Sequence, residues 1–232
     1  DYKNRLVKVY RCGTLTSSDF TTTGTKGWLD SGSSSKKGSL VATYTYDGLN
    51  RRVRKVVTNC GSLEGDRRFY YSGWRCLQDR VVDASGWTET LLKQYTWGGR
   101  YLDELVRYEV DVDDDGVLDK DYYVHQDALY NVVAVVLDDS SDTANDGVVQ
   151  ERCEYDPYGR PRLFDKDNKP LAVSALGLEY LFTGQRYDPE TGLYYYKNRY
   201  YSPELGRFTT RDPIGYAAGS LSLYEYVAGA PT

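Results

Sequence analysis

Residues 177–215 read GLEYLFTGQRYDPETGLYYYKNRYYSPELGRFTTRDPIG. This stretch concentrates a bias of the whole chain, which has 232 residues with 24 Tyr, 22 Gly, 5 Phe and no Met. Tyrosine and valine suit a pleated, half-buried surface, whereas frequent Gly and Asp divide a chain into short strands joined by turns. The composition therefore predicts an all-β protein, and we expect residues 203–206, Pro-Glu-Leu-Gly, to form one of its turns.

A five-residue phrase, D-x-x-(N/G)-R, recurs along the chain. Its copies are Asp1–Arg5, Asp47–Arg51 and Asp156–Arg160, and a shorter echo follows at residues 187–189, Tyr-Asp-Pro. The Asp can accept backbone N–H bonds at the start of a turn, and Asn or Gly three residues later tolerates the left-handed conformation. We therefore expect the turn of a β-hairpin at each copy. The residues of this repeat signature are Tyr46, Asp47, Arg51, Tyr155, Asp156, Gly159, Arg160, Tyr187 and Asp188.

Further strands and loops follow from local composition. Four segments are rich in Tyr, Val and Leu, have Gly-containing joints between them and read as strands. These segments are 67–82, 90–112, 121–137 and 148–155. Residues 13–39 and 138–147 are polar and are predicted to be loops, the first of them long and flexible. Only segment 168–179 has a pattern that a short helix would fit.

The block 177–215 resembles the RHS-repeat-associated core domain. The segment from His125 to Asp127, followed by Asn131 and the residues Val-Val-Ala-Val, looks like a strand of the same family, and 148–164 looks like the repeat that introduces the core. Members of this family, with the related teneurins and the C subunits of bacterial toxin complexes, carry YD repeats that wind into a hollow β-shell. The resemblance covers nearly the whole chain.

The resemblance implies a fold and a division of the chain. We expect YD-repeat β-hairpins that form a curved section of a hollow spiral β-shell, followed by a C-terminal core that turns inward. The repeat strands would occupy residues 1–165, and the core, incomplete at its C-terminal end, residues 166–232. Because such strands spiral around a cavity, this section need not own a closed core. The start at Asp1 and the lack of Met suggest a segment of a longer polypeptide.

The function that the resemblance implies is structural. The chain would be a shell or scaffold segment of a secreted or cell-surface protein that encloses or presents a C-terminal, toxin-like cargo. Its partners would be the remainder of its own longer chain and that cargo, with other surface proteins or glycans left open. The net charge of −5 and the scattered basic residues argue against a nucleic-acid surface, and no apolar run is long enough to span a bilayer.

A second hypothesis is self-cleavage by an aspartyl pair. In self-cleaving relatives the Asp of a D-P-x-G motif and an acidic residue in a later Tyr-x-Tyr phrase resemble an aspartyl-protease pair that releases the C-terminal cargo. Asp212 matches the first role, and Glu225, with a longer side chain than Asp, stands at the second. Two close carboxylates divide the acid and base roles because one keeps its proton. Arg211 would stabilise an oxyanion or lower the pKa of a carboxylate. The alternative is that Asp212 caps a turn before Pro213.

A third hypothesis is a calcium-stiffened adhesion module of the cell surface. Asp111, Asp113 and Asp115 occupy the first, third and fifth positions of a calcium loop, and Gly follows at the sixth. Position twelve is Tyr instead of the bidentate Glu of an EF-hand, so Asp119 or Asp121 would have to complete the site. Because the flanking residues are strand-like, calcium would stiffen a hairpin tip. The alternative is a solvated acidic turn.

Other conspicuous residues favour structural roles. His125 is the only histidine, which excludes sites that need two. The four cysteines lack C-x-x-C spacing, which argues against zinc and leaves disulfides or free thiols open. They are Cys12, Cys60, Cys76 and Cys153. Successive tyrosines on a strand point to opposite faces, so packing is favoured over a flat binding platform. These tyrosines are Tyr194, Tyr195, Tyr196, Tyr200 and Tyr201.

Overall fold

The computed structural model describes residues 5–11, 38–139, 141, 143–219 and 221–231. Strands β1 to β16 span Lys8–Arg11, Ser39–Tyr46, Arg52–Val57, Gly65–Ser72, Arg75–Val82, Glu89–Trp97, Leu105–Val110, Lys120–Gln126, Val132–Asp138, Val149–Tyr155, Pro161–Asp165, Pro170–Leu171, Arg186–Asp188, Leu193–Tyr196, Arg199–Ser202 and Arg207–Phe208. Short 3-10 turns span Gly61–Leu63, Phe182–Gly184, Gly215–Ala218 and Val227–Gly229. The predicted all-β class is confirmed. No helix within the described ranges has the length and apolar character needed to cross a membrane.

Strands β1 to β12 form one antiparallel sheet in which each strand pairs with its neighbours along the chain. From β2 to β12, short connections between consecutive strands produce this meander, because antiparallel neighbours are the strands that a tight turn can join. Three of the predicted strand segments are hairpins and not single strands. Segment 67–82, for example, is divided between β4 and β5 by a turn at Gly73, whose φ of 58° suits glycine.

The hairpin turns predicted at the second and third copies of the repeat phrase are confirmed. Asp47 Oδ1 accepts N–H bonds from Leu49 and Arg51, at 2.9 Å each, and the fourth residue of the turn has a left-handed φ of 72°. Asp156 accepts the equivalent pair of bonds, and Gly159 takes the left-handed position with a φ of 84°. Of the first copy, only its last residue lies within the described ranges.

Two further turns of the same kind were not predicted. Asp127 accepts N–H bonds from Leu129 and Asn131, and Asp165 accepts the corresponding bonds in the turn that ends at Lys169. Neither turn ends in Arg, so the phrase D-x-x-(N/G)-R does not find them. The Asp side chain, and not the Arg, is therefore the constant element of the turn.

Strands β13 to β16 form a second antiparallel sheet of four strands, which packs on one face of the large sheet. The ring of Tyr200 on β15 stacks on Tyr44 of β2 at 5.3 Å, and Tyr194 on β14 donates its hydroxyl to Gly159 O, just beyond β10, at 2.9 Å. In a flat sheet, strands β2 and β10 would lie about 38 Å apart, at about 4.8 Å per strand. Because two side chains on adjacent strands reach both places, the large sheet must curl around the small one.

The space between the two sheets is packed with buried side chains. One cluster joins strands of the large sheet from β4 to β11 to the small sheet, and a second cluster surrounds Val41, Ala42 and Tyr44 on β2. The section therefore has a core of its own, which the sequence left open. The C-terminal segment turns inward as predicted and supplies the second layer that a single curved sheet lacks.

Segment 168–179 holds no helix. It contains the short strand β12 and a series of bends. Backbone N–H groups of these bends donate to the buried carboxylate of Glu151 on β10, among them that of Ala175 at 2.6 Å. Outside bonds of this kind satisfy the backbone without a helical turn. The predicted loop 13–39 lies almost wholly outside the described residues, and the described part of 138–147 is mostly turn, as expected.

Candidate functional site

Charged side chains are buried where the two sheets meet, which sequence reasoning did not predict. The guanidinium of Arg52 on β3 pairs with the carboxylate of Asp188 on β13, and Lys55 Nζ lies 3.0 Å from the same carboxylate. The side chains of these three residues are 1%, 0% and 3% exposed, in the order Arg52, Asp188, Lys55. Burial alone would raise the pKa of Asp188, but the two cations outweigh it and hold that pKa below its usual range.

A second buried ion pair joins the sheets nearby. A terminal nitrogen of Arg186 on β13 lies 2.8 and 2.9 Å from the two carboxylate oxygens of Asp79 on β5, and the Tyr95 hydroxyl donates to Asp79 at 2.9 Å. The ring of Phe69 contacts both guanidiniums. Its centroid lies 4.5 Å from Cζ of Arg186 and 5.2 Å from Cζ of Arg52. Aromatic faces are favourable neighbours for cations that have lost their water.

Glu179, Arg67 and Lys93 extend this arrangement. Arg67 pairs with Glu179, and Glu179 Oε2 faces Arg186 Nε at 3.6 Å without a hydrogen bond between them. Burial would raise the pKa of Glu179, but the surrounding cations hold it well below its usual range. Burial lowers the pKa of Lys93 to about 8. Opposite charges thus compensate most, but not all, of the cost of this burial.

We call this group the interface network. Its members are Arg52, Lys55, Arg67, Asp79, Lys93, Glu179, Arg186 and Asp188. Removing one member would leave its partner charged and buried, so the network fixes the position of the small sheet on the large one. One sequence signal was present: Arg52 and Lys55 interrupt the apolar residues of β3, so that neither face of that strand reads as apolar.

The tyrosines of the repeat signature share a role that the sequence did not reveal. Tyr46 donates its hydroxyl to Leu6 O at 2.6 Å, and Tyr155 donates to Val132 O at 2.7 Å. In each case the acceptor lies in or just before the strand that precedes the tyrosine's own strand in the sheet. The tyrosine therefore joins two strands, while the Asp that follows it closes the turn. The echo differs, because its Asp188 belongs to the interface network.

The arginines of the signature also act differently from each other. Arg51 Nε lies 2.7 Å from the carboxylate of its own Asp47, and Arg51 NH1 donates to Gly73 O at 2.7 Å. Arg160 pairs with Glu204 in the turn between β15 and β16, which confirms the turn predicted at residues 203–206. One arginine thus braces its own hairpin, whereas the other links the large sheet to the small one.

Asp212 begins a turn next to the small sheet. Its N–H donates to Leu223 O at 2.8 Å, and its carboxylate accepts the Ile214 N–H at 2.9 Å and pairs with Arg199 at 3.1 Å. Glu225 lies on the facing segment, two residues beyond Leu223. The two predicted carboxylates therefore lie on adjoining segments, but no hydrogen bond or ion pair joins them in the part of the chain that the structure describes.

An aspartyl pair works when two carboxylates share one proton. Arg199 places a positive charge beside Asp212, and this partner was not predicted. Arg211 is exposed next to Asp212. The self-cleavage hypothesis for Asp212, Glu225 and Arg211 stays a prediction.

The loop between β7 and β8 brings three predicted calcium ligands together. One carboxylate oxygen from each of Asp111, Asp113 and Asp115 lies within 4.8 Å of the others. Oxygens that bind Ca²⁺ at about 2.3–2.6 Å have separations of this size. Repulsion from Asp115 and then from Asp119 raises the pKa of Asp113. Asp119 lies outside the group, and its carboxylate accepts the Val112 N–H at 2.8 Å. Three of the four predicted ligands thus lie together, and calcium binding stays a prediction.

The structural roles expected for the tyrosine run are confirmed. Tyr194, Tyr195, Tyr200 and Tyr201 are buried, and Tyr196 is half-buried. Cys60, Cys76 and Cys153 are free thiols, whereas Cys12 lies outside the described residues. Burial raises the pKa of the Cys153 thiol to about 12, so this thiol stays protonated and packs as an apolar side chain.

The sequence and the fold are similar to those of known proteins, although no family model matches the chain. The tRNA3(Ser)-specific nuclease WapA of Bacillus spizizenii is 31% identical over 194 residues, which are 81% of this chain and 7% of the relative. The toxin subunit YenC2 of Yersinia entomophaga is 29% identical over 196 residues, which are 82% of this chain and 18% of the relative. The chain thus spans less than a fifth of either relative.

Among solved structures, the crystal structure of TcdB2-TccC3-Cdc42 matches with a TM-score of 0.58 and 22% identity. The match covers 82% of this chain and 8% of that chain. At this identity the likeness concerns the fold. In this chain the matching fold is an open antiparallel sheet in which consecutive strands are neighbours.

Proposed function

We propose that this chain, which is a segment of an RHS-repeat (YD-repeat) protein, forms part of the wall of a β-shell that encloses or presents a C-terminal, toxin-like cargo. One observation carries the proposal: buried ion pairs fix the small C-terminal sheet to the inner face of the curled twelve-stranded sheet. An end that turns inward and is anchored there closes a compartment. The similarity to a nuclease and to a toxin subunit favours a toxin-like cargo and a secreted or surface-exposed parent protein.

The mechanism is mechanical. Backbone pairing along the meander gives each strand from β2 to β11 a partner on both sides and, among the described strands, leaves β1 and β12 as edges to which further strands can be added. Tyrosines suit both faces of such a wall, because each ring is apolar and each hydroxyl can reach a carbonyl, as Tyr46 does with Leu6. Enclosure would keep a cargo unfolded or inactive until release.

The test is protection of the cargo in the full-length parent protein. Limited proteolysis should leave the cargo intact in the wild type and digest it in the double variant Arg52→Ala and Asp188→Ala. This variant removes both partners of one ion pair and leaves Lys55 with its second partner, Glu190 Oε1 at 3.3 Å, so that no charge is buried alone while the anchor of the small sheet is loosened. The proposal fails if the cargo in the intact wild-type parent is digested as fast as the cargo expressed alone.

A matched control removes an ion pair outside the interface network. The double variant Asp167→Ala and Lys169→Ala deletes a pair of 3.4 Å in the turn between β11 and β12, where the two side chains are 58% and 73% exposed. Exposed pairs contribute little to stability, so the cargo of this variant should remain protected. Equal digestion of both double variants would mean that general destabilisation, and not the interface, exposes the cargo.

Self-cleavage is a second candidate function, favoured by the adjoining positions of Asp212 and Glu225 on facing segments. We propose that Asp212 acts as one carboxylate of the pair and that Arg211 assists it. In the full-length parent, a C-terminal fragment should form in the wild type and be absent in Asp212→Asn. Asp167→Asn, an exposed carboxylate on another hairpin, is the matched control. An unchanged fragment in Asp212→Asn would reject the peptidase reading.

A calcium-stiffened adhesion module is the third candidate, favoured by the convergence of Asp111, Asp113 and Asp115. The proposed role of the ion is to hold one hairpin tip in a fixed shape, because its ligands all come from the loop between β7 and β8. Melting with calcium and with a chelator tests the ion, and equal midpoints would remove it as a structural element.

A further inference from the structure

A pocket of about 180 Å³ lies under the segment that connects β12 to the small sheet. Its walls come from parts of the chain that are distant in sequence: the 3-10 turn Gly61–Leu63, strands β4, β6 and β11, and the connecting segment itself. Val173 lines the pocket and is 39% exposed, so the pocket reaches the surface of the protein. The role in the shell wall that is proposed above does not use this space.

Most of the pocket wall is apolar. Leu163, Leu178 and Leu181 are buried side chains of this wall, and Leu63 and Leu171 are half-buried. At about 30 Å³ for each water-sized group, the volume suits a ligand of about six non-hydrogen atoms. A hydrocarbon tail of this size would lose its contact with water against these leucines. The walls therefore favour a small molecule with an apolar part over an inorganic ion.

The polar end of the pocket holds the ammonium of Lys93 on β6. Its Nζ donates to Gly177 O, and it makes no other hydrogen bond within the described part of the chain. An ammonium has three N–H donors, so two of them are without a protein acceptor among these residues. Burial lowers the pKa of Lys93 to about 8, which leaves the side chain mostly charged at pH 7.

The charges around the pocket leave one positive charge in excess. The interface network has five basic side chains and three carboxylates, and Glu190 adds a fourth carboxylate. The other four basic side chains each pair with at least one of these carboxylates, whereas Lys93 pairs with none in the described ranges. Glu179 also lines the pocket, but it already pairs with Arg67 and faces Arg186. The excess charge is therefore that of Lys93.

We propose that this pocket binds a small monocarboxylate with a short apolar tail. The carboxylate would accept the two unused N–H bonds of Lys93 and supply the missing negative charge, while the tail would pack on the leucines. Inorganic phosphate has no apolar part for these walls, and Glu179 would repel its second negative charge. A neutral ligand of the same shape would leave the buried ammonium without a partner of opposite charge.

The first test compares ligands on the wild-type chain at pH 7. Butyrate, which matches the pocket in size, should bind with a Kd of about 1 mM or below in a titration followed by saturation-transfer NMR. Butyramide, which keeps the shape but carries no charge, should bind at least about tenfold more weakly. Acetate, which lacks two of the methylenes, should also bind about tenfold more weakly, because each buried methylene contributes about fourfold in affinity.

The second test uses two variants. Lys93→Met keeps the length of the side chain and removes a buried charge that has no ion pair, so it should fold and should bind butyrate at least about tenfold more weakly. Lys169→Met is the matched control, because Lys169 is exposed and lies outside the pocket. Butyrate should raise the melting midpoint of the wild type and of Lys169→Met, and it should leave that of Lys93→Met unchanged.

The proposal is overturned if butyrate does not bind the wild type, or if butyramide or acetate binds as tightly as butyrate. Binding of butyrate to a folded Lys93→Met with the affinity of the wild type would also overturn it, because the ammonium would then have no part in the site. Inorganic phosphate that bound as tightly as butyrate would show a site for charge alone and would reject the apolar tail. Far-UV circular dichroism checks the fold of Lys93→Met, and the comparison of ligands on the wild type decides the matter if that variant does not fold.

Discussion

Asp47 and Asp188 both follow a tyrosine in the same two-residue phrase, yet the two regions around them use the carboxylate in opposite ways. Asp47 is partly exposed and bonds to backbone N–H groups two and four residues further along. Asp188 is fully buried and bonds to Arg52 and Lys55, which lie 136 and 133 positions away in sequence. The first carboxylate shapes a hairpin, and the second joins two sheets.

The fold depends more on the buried carboxylate than on the partly exposed one. Water can replace the partners of an exposed turn Asp when the side chain is lost, so the loss is limited to a few hydrogen bonds. Water cannot reach Arg52 or Lys55 so easily, because their side chains are 1% and 3% exposed. Loss of Asp188 would therefore leave Arg52 buried without a carboxylate and Lys55 with Glu190 as its one acidic partner, so the penalty is that of burying an unpaired charge.

The largest expected effect is that of Asp188→Ala. We expect it to lower the free energy of unfolding by about 3–5 kcal/mol, because it leaves the buried guanidinium of Arg52 without a carboxylate and leaves Lys55 with Glu190 alone, at 3.3 Å. Asp47→Ala should cost about 1–2 kcal/mol, the size of the lost turn bonds. Denaturant midpoints of the two variants measure both values. Equal losses of unfolding free energy in the two variants would mean that the buried carboxylate is no more important to the fold than the partly exposed one.

Both carboxylates should contribute to the loss of stability in acid, because the bonds and charge of Arg51 also lower the pKa of Asp47 against the opposing effect of burial. The pKa of Asp188 is lowered by its cations against the opposing effect of burial, so the folded state binds fewer protons than the unfolded state at low pH. The stability that Asp188 contributes is present above the ordinary carboxyl pKa and is lost as pH falls through the lowered folded value. Asp188→Ala should therefore remove part of the acid dependence of unfolding. A variant with the full acid dependence of the wild type would contradict this assignment.

The second effect separates a turn that the small sheet covers from one that it leaves open. Gly159 and Gly73 both have positive φ, 84° and 58°. A Cβ added at Gly159 would overlap the ring of Phe182, whereas a Cβ added at Gly73 would contact no other atom. Gly73→Ala should cost about 1–2 kcal/mol from backbone strain alone. Gly159→Ala should cost about 1–3 kcal/mol more from overpacking. Thermal unfolding of the two variants compares them directly, and equal costs would mean that Phe182 yields freely.

The third prediction concerns Lys93 of the interface network and the change of stability at alkaline pH. Its folded pKa of about 8 lies below the ordinary 10.5, so between these values the unfolded state binds more protons. Stability should therefore rise by about 2 kcal/mol from this group between pH 8 and pH 10. Lys93→Met should lose that rise, whereas the exposed Lys169→Met should keep it. Above pH 10 the sign reverses, because tyrosines such as Tyr46, whose pKa is raised to about 12, hold their protons only when folded.

Denaturation midpoints at a series of pH values from 7 to 10 are the measurement. A rise that persists unchanged in Lys93→Met would show that another group causes it. A rise that is absent from the wild type would mean that Lys93 has an ordinary pKa in the folded state.

The turns were predictable because their chemistry is local. Asp47 and the residues that it binds lie within five positions, and Asp, Asn and Gly each have a known conformational preference there. The prediction still missed the turns at Asp127 and Asp165, because it required Arg at the fifth position, where these turns have Asn131 and Lys169 and the Asp needs only a backbone N–H. The inward-turning core was predicted from the family resemblance, because no periodic pattern in the sequence indicates it.

The interface network was not predictable from one sequence. Asp79 and Arg186 are 107 positions apart, and nothing in the local sequence of either identifies the other. Strand β3 mixes three basic residues with three valines, a pattern that indicates half-burial, whereas the second sheet brings carboxylates that bury Arg52 and Lys55 fully. The same holds for Arg199, which approaches Asp212 only in the folded chain.

The smallest expected effect is at the acidic hairpin tip, where charges repel each other without a buried partner. The pKa of Asp113 is raised chiefly by Asp115, so Asp113→Asn should leave stability unchanged or slightly higher when no divalent cation is present. With calcium the order reverses. A site with a Kd on the order of 10⁻⁴ to 10⁻³ M would stabilise the wild type by about 1 kcal/mol at about 2 mM calcium, and Asp113→Asn should lose that gain. Asp167→Asn, on another hairpin tip, should respond to calcium as the wild type does.

The calcium prediction is contradicted if chelator and calcium give the wild type the same melting midpoint. Asp111, Asp113 and Asp115 would then form only a solvated acidic turn, and this loop would be a further case of carboxylates that act locally, as Asp47 does, and not across the interface.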